Sequence, residues 1–210
     1  MRIPVIAYIA AVSYSIPTIA GSFRFKHLSN AMKALLLFCF FSCVEVGVEY
    51  VLGRKHINNS FLSNYSNLIE PSLISAVYFL SVKNKMTKDV ILLLAFLFLS
   101  VLVIDKIFYD VPNQLNETMS IISGIFIIII SVLTLYTIVS TMNNPLVNEP
   151  IFWVSSGTLI YSAGVLFVFS FSNELLKMGY SYFEAAWHVN WSLVIVANAM
   201  YTKGFFTGTN

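Results

Sequence analysis

The chain has 210 residues, of which 58% are hydrophobic and 10% charged, with a mean hydropathy of +0.79. A soluble domain carries about 25% charged residues, so this composition describes a polytopic membrane protein with no room for a separate soluble domain. The net charge of +2 gives no reason to expect a nucleic-acid partner.

A crossing helix needs about 20 apolar residues at roughly 1.5 Å of rise each. Reading the apolar runs against their polar punctuation predicts seven helices within one domain, 1–210. The first covers 3–22. Met1-Arg2 and the small residues Thr18-Ile19-Ala20 resemble a secretory leader, but the run continues to Gly21 and reads as a retained helix. The second covers 30–52 and stops at Gly53-Arg54-Lys55-His56. The third covers 61–82 and stops at Lys83-Asn84-Lys85. The fourth covers 88–108, with Thr87 as its N-cap. The fifth covers 115–142 and stops at Asn143-Asn144-Pro145. The sixth covers 149–172, with Pro150 in its first turn. The seventh covers 182–205. Strands are not expected, because these runs are long and lack two-residue alternation. The fold class is therefore all-α, a seven-transmembrane-helix bundle.

Lysine and arginine set the orientation. Arg24, Lys26, Lys33, Lys83, Lys85, Lys88 and Lys203 fall on one side, and Arg2, Arg54, Lys55, Lys106 and Lys177 on the other. Seven against five puts the N-terminus outside and the C-terminus inside. The acids Asp110, Glu117, Glu174 and Glu184 lie on the poorer side. Tyr50, Tyr109, Trp153, Tyr180, Tyr182 and Trp187 sit near helix ends, as an interfacial belt does. Cys39 and Cys43, at i,i+4 in one apolar run, read as small packing residues, with no disulfide framework or zinc spacing around them. The Asn-x-Ser/Thr triplets at Asn58, Asn64 and Asn116 are common by chance and mean nothing in a bacterium.

The polar residues inside the runs are the informative ones. A charge at the bilayer centre costs about 2.5–3.5 kcal/mol on insertion scales. The second helix nevertheless carries Glu45 and Glu49 on one face, and the third carries Asn64, Asn67 and Glu70 with Pro71 alongside. Pro71 removes the backbone bond to the carbonyl of Asn67, a way to bend a helix beside Glu70. The later helices add Ser120 and Ser123, then His188, Asn190 and Asn198. By depth these groups collect in the outer half of the bundle, which predicts a cavity open to the outside.

The candidate ligand-binding residues are Glu45, Asn67, Glu70, His188 and Asn190. Each has a plainer reading. Glu45 and Glu70 would be a hydrogen-bonded pair sharing one proton, and His188 a packing histidine. The asparagines would be interhelical bonds contributing about 0.6–2 kcal/mol each. Glu49 would pair with Arg54 or Lys55, and Asp105 with Lys106 at the surface. On the sixth helix, Gly157 and Gly164 form a small-residue face for close helix packing.

The run Pro150-Ile151-Phe152-Trp153-Val154-Ser155-Ser156-Gly157, continued by Tyr161 and Gly164, resembles a pattern in small seven-helix membrane proteins of Bacteroidetes-type bacteria. Tyr65 and Glu70 on the third helix, and Trp187 and Asn198 on the last, fit that family as well. Asn190 stands where the family pattern has a histidine, and His188 is displaced from it. The resemblance covers about half of the chain. It implies the seven-helix fold and a bacterial inner-membrane location, and it implies no activity.

Four functions follow in order. The first is a binding or sensory module whose cavity takes a small ligand, ion or proton and acts through a membrane or cytoplasmic signalling partner. The second is a small-solute or proton-coupled transporter of 3+1+3 type, although the proline signature of such repeats is absent. The third is an intramembrane metallohydrolase built on Glu45, Glu70 and His188, for which one membrane histidine is few. The fourth is a structural subunit of a larger assembly. A retinal pigment is disfavoured, because Lys203 lies at the inner end of the last helix. The sequence does not specify a cofactor. The other partners are the lipid bilayer and, in a homo-oligomer, further copies of the chain.

Overall fold

The computed structural model describes residues 4–108, 116–141 and 145–207, excepting the side chains of Glu117, Ser172 and Asn173. Arg2, Tyr109, Asp110 and the helix stop at Asn143-Asn144 lie outside the described residues. Among those described there is no strand. The helices are α1 (Val5–Ser13), α2 (Ser15–Phe23), α3 (Asn30–Arg54), α4 (Ser60–Ser81), α5 (Lys85–Phe108), α6 (Glu117–Thr141), α7 (Pro150–Met178) and α8 (Tyr180–Phe206). Short 3-10 turns at Phe25–His27 and Leu146–Asn148 join α2 to α3 and α6 to α7.

Among the described residues, five segments are long and apolar enough to cross a membrane: Val5–Phe23, Asn30–Arg54, Lys85–Phe108, Thr118–Thr141 and Pro150–Phe171. The other two expected spans, α4 and α8, have the length, at 22 and 27 residues. What sets them apart is the polar residues along them: Asn64, Asn67 and Glu70 on α4, and His188, Asn190 and Asn198 on α8. Large apolar side chains cover the outside of the bundle, with Phe96 68% and Ile107 68% exposed, as lipid-facing residues are.

Local chemistry explains the helix ends and corrects several expected ones. The first span is interrupted at Tyr14, between α1 and α2. Pro17 has no N–H to give the carbonyl of Ser13, so the hydrogen-bond ladder lapses there. Ser29 caps α3, its hydroxyl accepting from the Met32 N–H at 3.3 Å. Thr87 does not cap α5. It lies inside the first turn and donates its backbone N–H to the Asn84 side chain at 3.3 Å, which makes Asn84 the cap. The expected end of the sixth helix at 172 and start of the seventh at 182 are both displaced. Instead α7 runs to Met178 and α8 begins at Tyr180, with only Gly179 between them. Gly179 has φ +131°, a conformation open to glycine and strained for other residues, which lets one residue reverse the chain.

Six rods form a closed ring in the order α1/α2, α3, α4, α6, α7, α8, and α8 returns to pack against α1 and α2. The remaining helix, α5, packs outside the ring against α4 and α6. The ring is filled unevenly. Leu35, Val77, Tyr78, Ile130, Val154 and Phe205 are at most 1% exposed and fill one half of it. They come from the N-terminal part of α3 and α7, the middle of α6 and the C-terminal part of α4 and α8, and they lie toward one end of the bundle. The other end is hollow.

The expected packing face of α7 is used against α8. A Cβ on Gly157 would meet Met200 Cβ at 3.1 Å and the Ala197 carbonyl at 3.2 Å. One on Gly164 would meet Leu193 Cδ1 at 2.7 Å. Cys39 is buried and Cys43 half-buried, both as free thiols.

Candidate functional site

The hollow end of the ring contains a cavity of about 410 Å³. Its walls come from α1, α3, α4, α6, α7 and α8. Each contributes the half of its length nearest the α3–α4 connection, which is the depth at which the sequence gathers its polar groups. Small-molecule pockets typically measure about 300–1,000 Å³, so the space is large enough for more than a bare ion.

Of the five candidate residues, Glu45, Asn67, Glu70 and Asn190 line this cavity and His188 does not. The two acids face each other across the α3–α4 contact and exchange serine partners. Ser66 on α4 donates to Glu45 Oε1 on α3. Ser42 on α3 donates to Glu70 Oε1 on α4 at 3.4 Å. Each serine sits one turn from the acid on its own helix, Ser42 three residues before Glu45 and Ser66 four before Glu70. This spacing is what allows the crossed arrangement.

Glu49 also lines the cavity, one turn from Glu45. The expected pairing with Arg54 or Lys55 does not form: among the described residues no ion pair joins Glu49 to either. Those cations stand at and beyond the end of α3, whereas Glu49 faces inward with Glu45. Lysine, arginine and histidine are absent from the described lining. Lys177 and Glu174 do form an ion pair, at 2.6 Å, on the exposed surface of α7 and outside the cavity lining.

Asn67 donates through Nδ2 to Ser120 Oγ at 3.0 Å, linking α4 to α6 at the cavity wall. Asn190 is 7% exposed, and its Oδ1 has no partner. Ser162, beside it on α7, is 1% exposed, and its Oγ has none either. Asn198 lies deeper and outside the cavity lining, donating to Ser13 Oγ at 2.8 Å. It is the interhelical bond that its residue type suggested. His188 packs its ring 5.5 Å from that of Trp191, with a buried, unpartnered Nε2. One position further round α8 than Trp187, it falls off the face that the cavity uses. Asp105 does not pair with Lys106. Its carboxylate accepts from Asn116 Nδ2 at 2.7 Å, while Lys106 Nζ sits 5.3 Å from the centre of the Tyr65 ring.

Several lining residues were not singled out as site residues. Tyr14 and Tyr161 bring phenol groups to the floor, beside Glu70. Phe169, Trp187 and Trp191 form an aromatic wall on α7 and α8, with Trp187 and Trp191 ring centroids 6.0 Å apart. Trp187 reads as an interfacial anchor in sequence, and Tyr161 as part of the run that carries the resemblance. Their inward orientation depends on the ring order, which no local pattern encodes.

Among the described residues, no three His, Cys, Asp or Glu side chains form a group that could hold a metal ion. Glu45, Glu70 and His188 therefore do not form the ligand set that a metallohydrolase would need.

Together these observations define an all-helical chain with membrane-length apolar helices around an internal, acid-lined cavity. No family model, curated protein or solved structure matches it.

Proposed function

We propose that this chain is a seven-helix protein of a bacterial inner membrane, with its N-terminus outside and its C-terminus inside. In this reading its outward-facing cavity binds a small ligand, ion or proton, and a membrane or cytoplasmic partner receives the signal. The lengths of α4 and α8 and the resemblance of the Pro150–Gly164 run support seven spans. The seven-to-five distribution of lysine and arginine supports the orientation, and it puts the cavity mouth outside.

The observation that carries the binding reading is the closed floor. Below Glu70 lies a narrow void of about 10 Å³, among Phe38, Tyr161, Asn198 and Tyr201. Beyond it come the buried side chains of the other half of the ring. Polar groups there bond to one another, as in Tyr78 with Ser131 at 2.8 Å and Thr158 with Tyr201 at 3.2 Å, although Ser155 Oγ is buried without a partner. A solute entering the cavity therefore has a place to stop.

One observation favours a 3+1+3 transporter as the second reading. Three rods precede α5, three follow it, and α5 stands outside the ring that the six others make.

One experiment separates the two. Purified protein is screened by thermal shift against small solutes, and the stabilising solute is then tested for flux in proteoliposomes. The binding reading expects stabilisation that disappears in Glu45→Gln and Glu70→Gln, with flux no faster than in protein-free liposomes. Protein-dependent flux would make the chain a transporter. Wild-type stabilisation in both variants would end the assignment of this cavity.

A further inference from the structure

The ionisable groups of the cavity lining are acidic or phenolic, with no cation among those described. Three of them are the carboxyl groups of Glu45, Glu49 and Glu70. The hydroxyls that serve the acids are contested. Ser42 Oγ lies 3.4 Å from Glu70 Oε1 and also 3.1 Å from the Phe38 carbonyl. Ser66 serves Glu45 and lies 3.0 Å from the Leu62 carbonyl. A serine has one proton to give, so each hydroxyl faces two acceptors with one donor.

A second, independent observation comes from the opposite wall. Asn190 and Ser162 are 7% and 1% exposed, line the same cavity, and carry side-chain oxygens without partners. Buried polar atoms are almost always paired, so such orphans in a binding space mark where a ligand's polar group belongs. Trp187, Trp191 and Phe169 stand on this side, across the ring from the acids of α3 and α4.

The missing complement is a positive group with N–H donors, attached to an apolar body. We propose that the cavity takes a small organic amine in its ammonium form, its N–H groups on Glu70, Glu45 and Asn190 and its apolar body against Trp187 and Trp191. Charge-assisted hydrogen bonds to carboxylates hold the head, and the indole faces attract a cation or an aromatic ring. A bare metal ion leaves most of about 410 Å³ unfilled. A quaternary ammonium has the charge and no N–H. An anion meets three carboxyl groups and no cation among the described lining.

This inference rests on the binding reading above, and the test keeps the two apart. The full-length protein in detergent is titrated by calorimetry with 2-phenylethylammonium. The comparison probes are its trimethylammonium analogue, neutral 2-phenylethanol, anionic 3-phenylpropanoate and sodium ion. Saturable binding of 2-phenylethylammonium is expected, at least about tenfold tighter than that of every other probe. Glu70→Gln should weaken it about tenfold or more, and Glu49→Gln at the cavity rim is the second variant should the first fail to fold.

Equal affinity for the alcohol or for the quaternary analogue overturns the ammonium assignment. Saturable binding of the anion or of sodium alone overturns it as well, and leaves the cavity a binding site for another class. No saturable binding of any probe up to about 10 mM also overturns it. The binding reading itself then stands or falls on the wider solute screen.

Discussion

Ser42 Oγ on α3 lies 3.4 Å from Glu70 Oε1 on α4, and the reverse contact, from Ser66 on α4 to Glu45 on α3, completes an exchange of partners between the two helices. Each acid is held by the helix it does not belong to. Both are thereby aimed into the ring, and the α3–α4 register is tied to the shape of the cavity.

The two crossed contacts should behave as separate couplings. Ser66→Ala and Glu45→Gln, singly and together, form a double-mutant cycle on unfolding stability, with an expected coupling of about 0.5–1.5 kcal/mol. Ser42→Ala with Glu45→Gln should be additive within about 0.5 kcal/mol. A coupling as large in the mismatched pair would show that the four residues act as one network.

Glycines on different faces should answer alanine in opposite ways. A Cβ at Gly164 would lie 2.7 Å from Leu193 Cδ1 and 3.0 Å from Asn190 Oδ1. Gly164→Ala should destabilise by about 1–3 kcal/mol through overpacking and push Asn190 into the cavity. At Gly47 nothing lies within 4 Å, so Gly47→Ala should be neutral or stabilise by up to about 1 kcal/mol. Thermal unfolding in detergent checks both.

Asn198 joins α8 to α1 by donating to Ser13 Oγ at 2.8 Å. Asn198→Ala should cost about 0.6–2 kcal/mol. Because Asn198 lies outside the cavity lining, ligand affinity should change little. A large loss of affinity with unchanged stability would move Asn198 into the site.

Orientation is tested by labelling. With Cys39 and Cys43 replaced by serine, single cysteines at Lys55 and Lys83 report the two ends of the bundle. An impermeant maleimide on intact spheroplasts should modify Lys55→Cys and spare Lys83→Cys. The reverse pattern would turn the cavity mouth toward the cytoplasm.

Much of this was legible in the sequence, for identifiable reasons. Apolar runs and their charged stops located the helices, because the bilayer imposes their length. Glu45, Asn67 and Glu70 stood out because a carboxylate or an amide in an apolar run demands company. Asn190 entered through its helix position alone. What failed depended on rotation about a helix axis. Along α3 the i,i+4 spacing put Glu49 on the face of Glu45, but Arg54 and Lys55 nearby suggested a pairing at the helix end instead. His188 and Trp187 are neighbours in sequence, and a step of about 100° between them decides which reaches the cavity. The break at Tyr14 was written in Pro17, and the one-residue turn at Gly179 was hidden by the polar stretch around it.

Because α1 and α2 close the ring against α8, the cavity is bounded by helices that lie far apart in sequence. During synthesis its acids therefore enter the membrane long before their enclosure exists. Until residues 180–206 have emerged, Glu45 and Glu70 stand in an unfinished trough. A chain cut before Tyr180 would hold its carboxylates toward lipid, which makes it a natural substrate for membrane quality control. Assembly of the site thus waits for the arrival of α8.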